Sequence, residues 1–284
     1  MKSIRALERG LEVLRLLEQH EGRALQDLHL RTALPKPTLL RILHTLESAG
    51  LAWRAIGDGR WRRSVSLHIG HRPAERNLRF AELAAPHLAA LQRKALWPSD
   101  LLIYDNFQME LAESSRRLSG LAMNPRYQIG FRVDLFLSAP GRAWLAFCPD
   151  TDREAALAHY AEHPPANPLS ARFLAQGHLP EVLEETRRQG YAARDPGFGG
   201  AMEDISVFDD GFDAIAVPIL TPTGVPGCIN LVWPRRYKLR GKVVEAHLED
   251  LQGTARAIAE GLGEGSRMEG VNLGMEVPRA VLPE

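Results

Sequence analysis

The chain has 284 residues, 45% hydrophobic and 25% charged, with 35 Lys and Arg balancing 35 Asp and Glu. This composition excludes a disordered or fibrous chain and allows one large domain or two smaller ones. Two cysteines, Cys148 and Cys228, stand outside any CxxC or Cys/His spacing, which argues against a zinc site or disulfide framework and for buried free thiols.

Charge is unevenly spread. The first 72 residues carry thirteen Lys and Arg against seven Asp and Glu, a net of +6, so the remainder holds −6. Such asymmetry points to nucleic-acid or membrane contact by the basic part. "MKSIRALERG" has no apolar segment after its charges, and no apolar run approaches the roughly 18 residues of a bilayer span. The reading is a cytoplasmic chain with no membrane partner.

In chain order, Ile4, Leu7, Leu11, Leu14 and Leu17 recur at helical spacing and predict a first helix, closed by Glu21-Gly22. Leu25, Leu28 and Ala33 mark a short second helix. "LPKPTLLRILHTLESAGL" (34–51) is a third, ended by Gly50 as a left-handed cap. "GDG" at 57–59, between segments with β-branched or aromatic residues, predicts a hairpin. This order is that of a winged helix-turn-helix. An amphipathic helix follows from Arg72 to Lys94, with Leu78, Leu83, Leu88 and Leu91 on its apolar side, stopped by "WPSD". Then "LLIYDN", "RVDLFLS", "AIAVPIL" and "GCINLVW" read as strands, and "GRAWLAFC", "DREAALAHYAEH" and "LPEVLEETRRQG" as helices. The expected class is α+β with a mainly antiparallel sheet. "GFGG" (197–200) reads as a flexible loop, "KVVEAHLEDLQGTARAIAEGL" as a closing helix, and the tail after Gly263 as disordered.

The third helix carries the first chemistry. Pro35 and Pro37 fall in its first turn, where a missing N–H costs nothing, so they set an abrupt start. Leu39, Ile42, Leu43 and Leu46 form one stripe; Pro37, Thr38, Arg41, His44 and Thr45 form another. A recognition helix needs this division. Its outer face enters a major groove, where Arg41 can bridge guanine O6 and N7, Thr38 can reach a phosphate or thymine methyl, and Leu40 a base methyl. Lys36 and Thr38 near the N-terminus suit a phosphate. Arg54, Arg60, Arg62 and Arg63 gather on the hairpin with Trp53 and Trp61, as a wing on the phosphate backbone requires. The blander alternatives are a solvated amphipathic helix and a solvated charged hairpin.

"SIRALERGLEVLRLLE", "LPKPTLLRILHTLESAGL" and "WRRSVSLHIG" together resemble the N-terminal domain of IclR-type bacterial transcription regulators. The resemblance continues through "SAPGRAWLAFCP", "RRQGYAAR", "IAVPI", "GVPGCINLVWP" and the closing helix, covering roughly residues 3 to 262. "WPSD", "WLAFCP" and "CINLVW" look closest to the subgroup that activates catabolism of 3-hydroxyphenylpropionate and related aromatic acids. One departure is Ala33, where the family's turn usually carries Gly; left-handed geometry there costs up to about 1 kcal/mol. Pro140 and Arg142 also depart from positions that are usually small or variable.

The resemblance implies a winged helix-turn-helix at 1–71, a linker helix at 72–96, a GAF-like effector-binding domain at 97–263 and a tail at 264–284. It also implies a double-stranded DNA operator, a small organic acid effector and either a homodimer or a homotetramer. A carboxylate ligand wants a cation, a helix N-terminus and polar donors in apolar walls. "SAPGRAW" offers Ser138, Ala139, backbone N–H groups near Gly141, and Arg142; Arg132 precedes it, and Phe136 and Trp144 offer aromatic walls. By the resemblance, Pro218 and Asn230 face the pocket. Each has a plainer role: Asn230 satisfying buried backbone, the arginines in surface ion pairs, Trp144 as core.

No GxSxG, P-loop, HExxH or Rossmann glycine pattern is present, so neither catalytic residues, metal nor cofactor are expected. The competing readings are a small-molecule enzyme or carrier whose basic N-terminal domain serves oligomerisation, and a constitutive DNA-binding protein with an empty sensor.

Overall fold

The computed structural model describes residues 4–17, 22–64, 73–120 and 126–269. The N-terminal part runs α1 (Arg5–Leu16), α2 (Leu25–Thr32), α3 (Lys36–Ser48), β1 (Ala52–Arg54) and β2 (Trp61–Arg63). Val13, Leu17, Leu28, Leu39, Leu43 and Trp61 close a small core between the three helices and the hairpin. β1 and β2 are antiparallel, with Trp53 opposite Arg62, and Arg23 adds a bridge to Trp61. Between α2 and α3, Ala33 takes a left-handed conformation (φ 55°, ψ 11°) and donates its N–H to the His29 carbonyl. The turn thus demands the geometry that favours glycine, and a residue with a Cβ supplies it.

α4 (Pro73–Ala95), with Pro86 inside it, leads into the second part. There follow β3 (Ser99–Asp105), β4 (Gln108–Ser114), a 3₁₀ turn at Arg116–Leu118, β5 (Arg132–Val133), α5 (Ala139–Phe147), α6 (Asp150–Glu162), α7 (Pro168–Ala175) and α8 (Leu179–Gln189). β6 (Ala192–Ala193), β7 (Phe212–Thr221), β8 (Gly224–Pro234) and α9 (Arg240–Glu269) complete it. The six strands lie in the order β5-β4-β3-β8-β7-β6 with every pairing antiparallel.

The sheet is buried on both faces. Leu101, Ile103, Ile215, Val217, Ile229, Leu231 and Trp233 point to α4 and α9. Their alternates Leu102, Ala214, Ala216, Cys228 and Val232 point to α5 and the helices that follow it, as the two-residue period of a strand requires. The wing is packed inward as well: Trp53 and Ala55 bury against Ala81 and Ala85 of α4.

Three expectations need correction. "RVDLFLS" is strand only at Arg132–Val133; the buried Asp134 carboxylate accepts the N–H groups of Phe136 and Leu137 at 2.8 and 2.7 Å and bends the chain into a turn before α5. "GFGG" is fixed rather than flexible: a side chain at Gly199 would strike the Phe208 carbonyl, and one at Gly200 the Tyr127 hydroxyl. α9 continues through residues 264–269, which the sequence placed in the tail; the rest of that tail lies outside the described residues. Among the described residues, no helix is long and apolar enough to cross a membrane.

Candidate functional site

α3 begins abruptly because Pro35 caps it and Pro37 occupies its first turn. Leu39, Leu43 and Leu46 are buried under it. Lys36, Pro37, Leu40, Arg41, His44 and Thr45 lie exposed and Thr38 half-buried, so the residues predicted to meet DNA share the outer face. The Thr45 hydroxyl donates to the Arg41 carbonyl at 2.8 Å and His44 contacts Glu47 at 3.1 Å.

On the hairpin the arginines divide. Arg54 and Arg60 are exposed and Arg63 half-buried. Arg62 is 5% exposed, lies over the Trp53 ring at 5.9 Å and donates both guanidinium ends to Asp58 at 3.0 and 2.6 Å. It braces the hairpin from inside instead of presenting itself to a phosphate. Although burial acts against it, the Arg62 hydrogen bonds hold the Asp58 carboxyl below its usual range.

In the second part a cavity of about 40 Å³ opens between the sheet and the start of α5. Leu102, Leu111, Val133, Ala214 and Val232 form apolar walls; Asp100, Arg116, Tyr127, Ser138, Arg194, Asp210 and Asn230 supply polar groups. Two ion pairs set its electrostatics. Arg116 donates from Nε and Nη2 to Asp100 at 2.7 and 2.6 Å, and Asp100 also accepts the Ser114 hydroxyl at 2.6 Å. Arg194 donates from Nη1 and Nη2 to Asp210 at 2.9 and 2.8 Å, and the Tyr127 hydroxyl donates to Asp210 at 2.5 Å. The Arg116 guanidinium stacks over Tyr127 at 4.2 Å. Burial lowers the Arg116 pKa, but the Asp100 carboxylate outweighs it, and the net shift is upward. Burial, then Asp210, raises that of Tyr127. The lining is therefore close to charge-neutral. One donor stands apart: Nη1 of Arg116 is buried and has no hydrogen-bond partner among the described residues.

Of the predicted effector residues, Ser138, Ala139 and Asn230 line this cavity. Ser138 caps α5 by accepting the Gly141 N–H at 3.0 Å, and the Asn230 amide oxygen accepts the Asp100 N–H at 2.8 Å. The others do not reach it. Arg142 turns away to the Phe136 carbonyl at 2.7 Å and Asp195 at 2.7 Å, tying α5 to the loop after β6; burial lowers its pKa, and Asp195 only partly offsets that. Arg132 pairs with Asp105 and Glu110 at 2.8 and 3.0 Å on the sheet edge. Phe136 packs on Tyr160 in the core. Gly141 serves close packing, since a Cβ there would strike the Leu135 carbonyl. Pro218 has the cavity's parity on β7 but sits opposite Cys228, beyond Ala214. Trp144 stacks on Tyr104 at 3.6 Å as core.

Sequence reading missed Asp100, Arg116, Tyr127, Arg194 and Asp210. Their signal was weak: an acid inside a buried strand (Asp100) and an Arg-Asp pair on either side of "GFGG" (Arg194, Asp210). Among the described residues no cluster of three metal-ligating side chains occurs.

Residues 6–54 match the model of the IclR helix-turn-helix domain, and residues 75–260 that of the bacterial transcriptional regulator IclR C-terminal domain. The DNA-binding transcriptional repressor YiaJ of Escherichia coli (strain K12) is 27% identical over 262 residues, 91% of this chain and 88% of that protein. The crystal structure of the Thermotoga maritima IclR shares the fold, with a TM-score of 0.51 and 21% identity over 92% of this chain and all of that one.

Proposed function

From the premise that the chain belongs to the IclR family of DNA-binding transcriptional regulators, which are not enzymes, we propose a regulator of aromatic-acid catabolism that acts in the cytoplasm and is switched by a small organic acid. The enzyme alternative falls with that membership. Residues 1–71 serve as the reader, 72–96 as the linker and 97–263 as the GAF-like sensor. The observation that carries the reader is the division of α3: Leu39, Leu43 and Leu46 hold it down while Lys36, Pro37, Thr38, Leu40, Arg41 and Thr45 face outward. Arg41 reads a guanine, Lys36 and Thr38 take phosphates, and Arg54, Arg60 and Arg63 follow the backbone from the wing.

For the sensor, the supporting observation is the cavity with Ser138, Ala139 and Asn230 on its wall and an Arg116 Nη1 that has no partner among the described residues. A ligand carboxylate satisfies that donor, and the apolar walls accept a ring. A lone reader covers too few base pairs, so two copies act together. Ile4, Leu7 and Leu11, which are 68%, 57% and 47% exposed along one side of α1, support a self-pairing face.

A thermal-shift screen with hydroxylated phenylpropionates, cinnamates, benzoates and short oxo-acids tests the sensor. A saturable rise with one aromatic acid, lost in Arg116→Ala or Asn230→Ala, is the expected result. No shift with any of these acids removes the reason for naming aromatic catabolism and favours the empty-sensor reading.

A further inference from the structure

Five consecutive residues at the end of β4, Glu113 to Arg117 ("ESSRR"), touch the wing, the linker helix and the sensor cavity in turn. The alternation has a local cause. Along β4, Leu111 lines the cavity, and an undisturbed strand would send Glu113 the same way. The β3–β4 register slips between Leu101 and Leu102, which oppose Glu113 and Leu111, so Ala112 is an extra, bulged residue. One inserted residue reverses the parity of everything after it. Glu113 therefore faces the wing, and Ser114 turns to Asp100, which lines the cavity.

On the wing side, Glu113 is fully buried and accepts the N–H of Gly57 at 2.6 Å and of Ile56 at 3.2 Å. Arg117 donates to the carbonyl of Asp58 at the same hairpin tip. Gly57 admits this approach because a Cβ there would lie 2.8 Å from the Glu113 carboxylate and 2.9 Å from Ile129. On the cavity side, Ser114 and Arg116 both bind Asp100. Between them, the Ser115 hydroxyl donates to Gln92 of α4 at 2.8 Å.

We infer that Glu113–Arg117 is the relay by which the state of the sensor cavity reaches the DNA-reading wing, with Glu113 and Arg117 as the clasp and Ser114 and Arg116 as the sensing end. This rests on the reading of the wing as a DNA contact and of the cavity as the effector site. The cavity places the Arg116 guanidinium and its partner Asp100 on one wall, where an entering anion meets them. An anion drawing Arg116 Nη1 toward itself loosens the hold on Asp100 and moves the segment that grips the wing tip. The extent of the shift equals the ligand's differential affinity for the clasped and released states.

Hydrogen exchange of the full chain tests this without knowledge of effector or operator. The readout is the wing segment containing Ile56 and Gly57 in wild type, Glu113→Gln, Ser114→Ala and the double variant. Glu113→Gln is expected to speed exchange there about tenfold. Ser114→Ala, which alters only the cavity end, is expected to speed it too, and the double variant to exchange no faster than Glu113→Gln alone. Wing exchange at the wild-type rate in Ser114→Ala, or strictly multiplicative effects in the double variant, overturns the relay. Arg116→Lys, which keeps the cation but loses the two-point grip on Asp100, repeats the test should Ser114→Ala unfold. Titration of the same proteins with a random-sequence DNA duplex separates the two readings: absence of salt-dependent binding by wild type sinks the wing as a DNA contact, while the exchange pattern alone decides the relay.

Discussion

Replacing Glu113 by Gln changes how stability depends on pH. Burial pushes the Glu113 carboxyl from 4.5 up to about 7, and the N–H groups of Ser114, Gly57 and Ile56, together with the Arg62 charge, only partly counter it. Between those two values the folded protein keeps a proton that the unfolded chain has released. The unfolded state then binds fewer protons, so stability falls as pH rises through this window. From about pH 5 to about pH 8 the loss attributable to this one group is roughly 2 to 3 kcal/mol. Glutamine has the same shape and does not titrate. Urea unfolding of wild type and Glu113→Gln, followed by tryptophan fluorescence at several pH values, gives the difference directly. Wild type is expected to lose stability relative to the variant as pH rises, with the change centred below about 7. Parallel curves for the two proteins would mean that Glu113 titrates alike in the folded and unfolded chains.

Other outcomes follow from backbone and packing. Ala33→Gly relieves a left-handed residue with a Cβ at the expense of a looser unfolded chain, for a net gain of roughly 0.5–1 kcal/mol, read as a higher urea midpoint of the helix-turn-helix. Gly141→Ala drives a Cβ into the Leu135 carbonyl at the start of α5 and is expected to cost at least 1–3 kcal/mol, about the range of core overpacking, read as a lower melting temperature. Leu7→Asp places a charge in the exposed apolar stripe of α1; sedimentation is expected to show fewer paired copies with the helix content unchanged.

Much of the reader was legible because its signals are local. The 3–4 spacing of Leu39, Leu43 and Leu46, the two prolines and the "GDG" turn each act within a few residues. The place of Arg62 was not legible, since four arginines on a hairpin look alike until Asp58 and Trp53 take one of them inward. In the second domain, "AIAVPIL" and "GCINLVW" announced a central strand pair by their apolar runs. Strand β4 escaped notice because its polar–apolar alternation, Gln108 to Leu111, lasts only four residues before the bulged Ala112 breaks it. The cavity was the least readable part. Asp100 and Arg116 are sixteen residues apart, as are Arg194 and Asp210, and each pair forms only when the sheet brings its strands and loops together. Arg142 misled for the same reason: next to a helix N-terminus it looks like an anion clamp, but the Phe136 carbonyl and Asp195 satisfy it first.

On the proposed reading, the outer face of α3 and the wing hold DNA. The most direct test is the affinity of the purified full chain for a DNA duplex across a salt series, for wild type and for Arg60→Ala. Each neutralised phosphate contributes about −0.9 to the slope of log affinity against log salt. Wild type is expected to lose affinity steeply between low and moderate salt, and Arg60→Ala to show a slope shallower by about one contact. Affinity that ignores salt, or an Arg60→Ala slope equal to that of wild type together with full affinity in Arg41→Ala, contradicts the account.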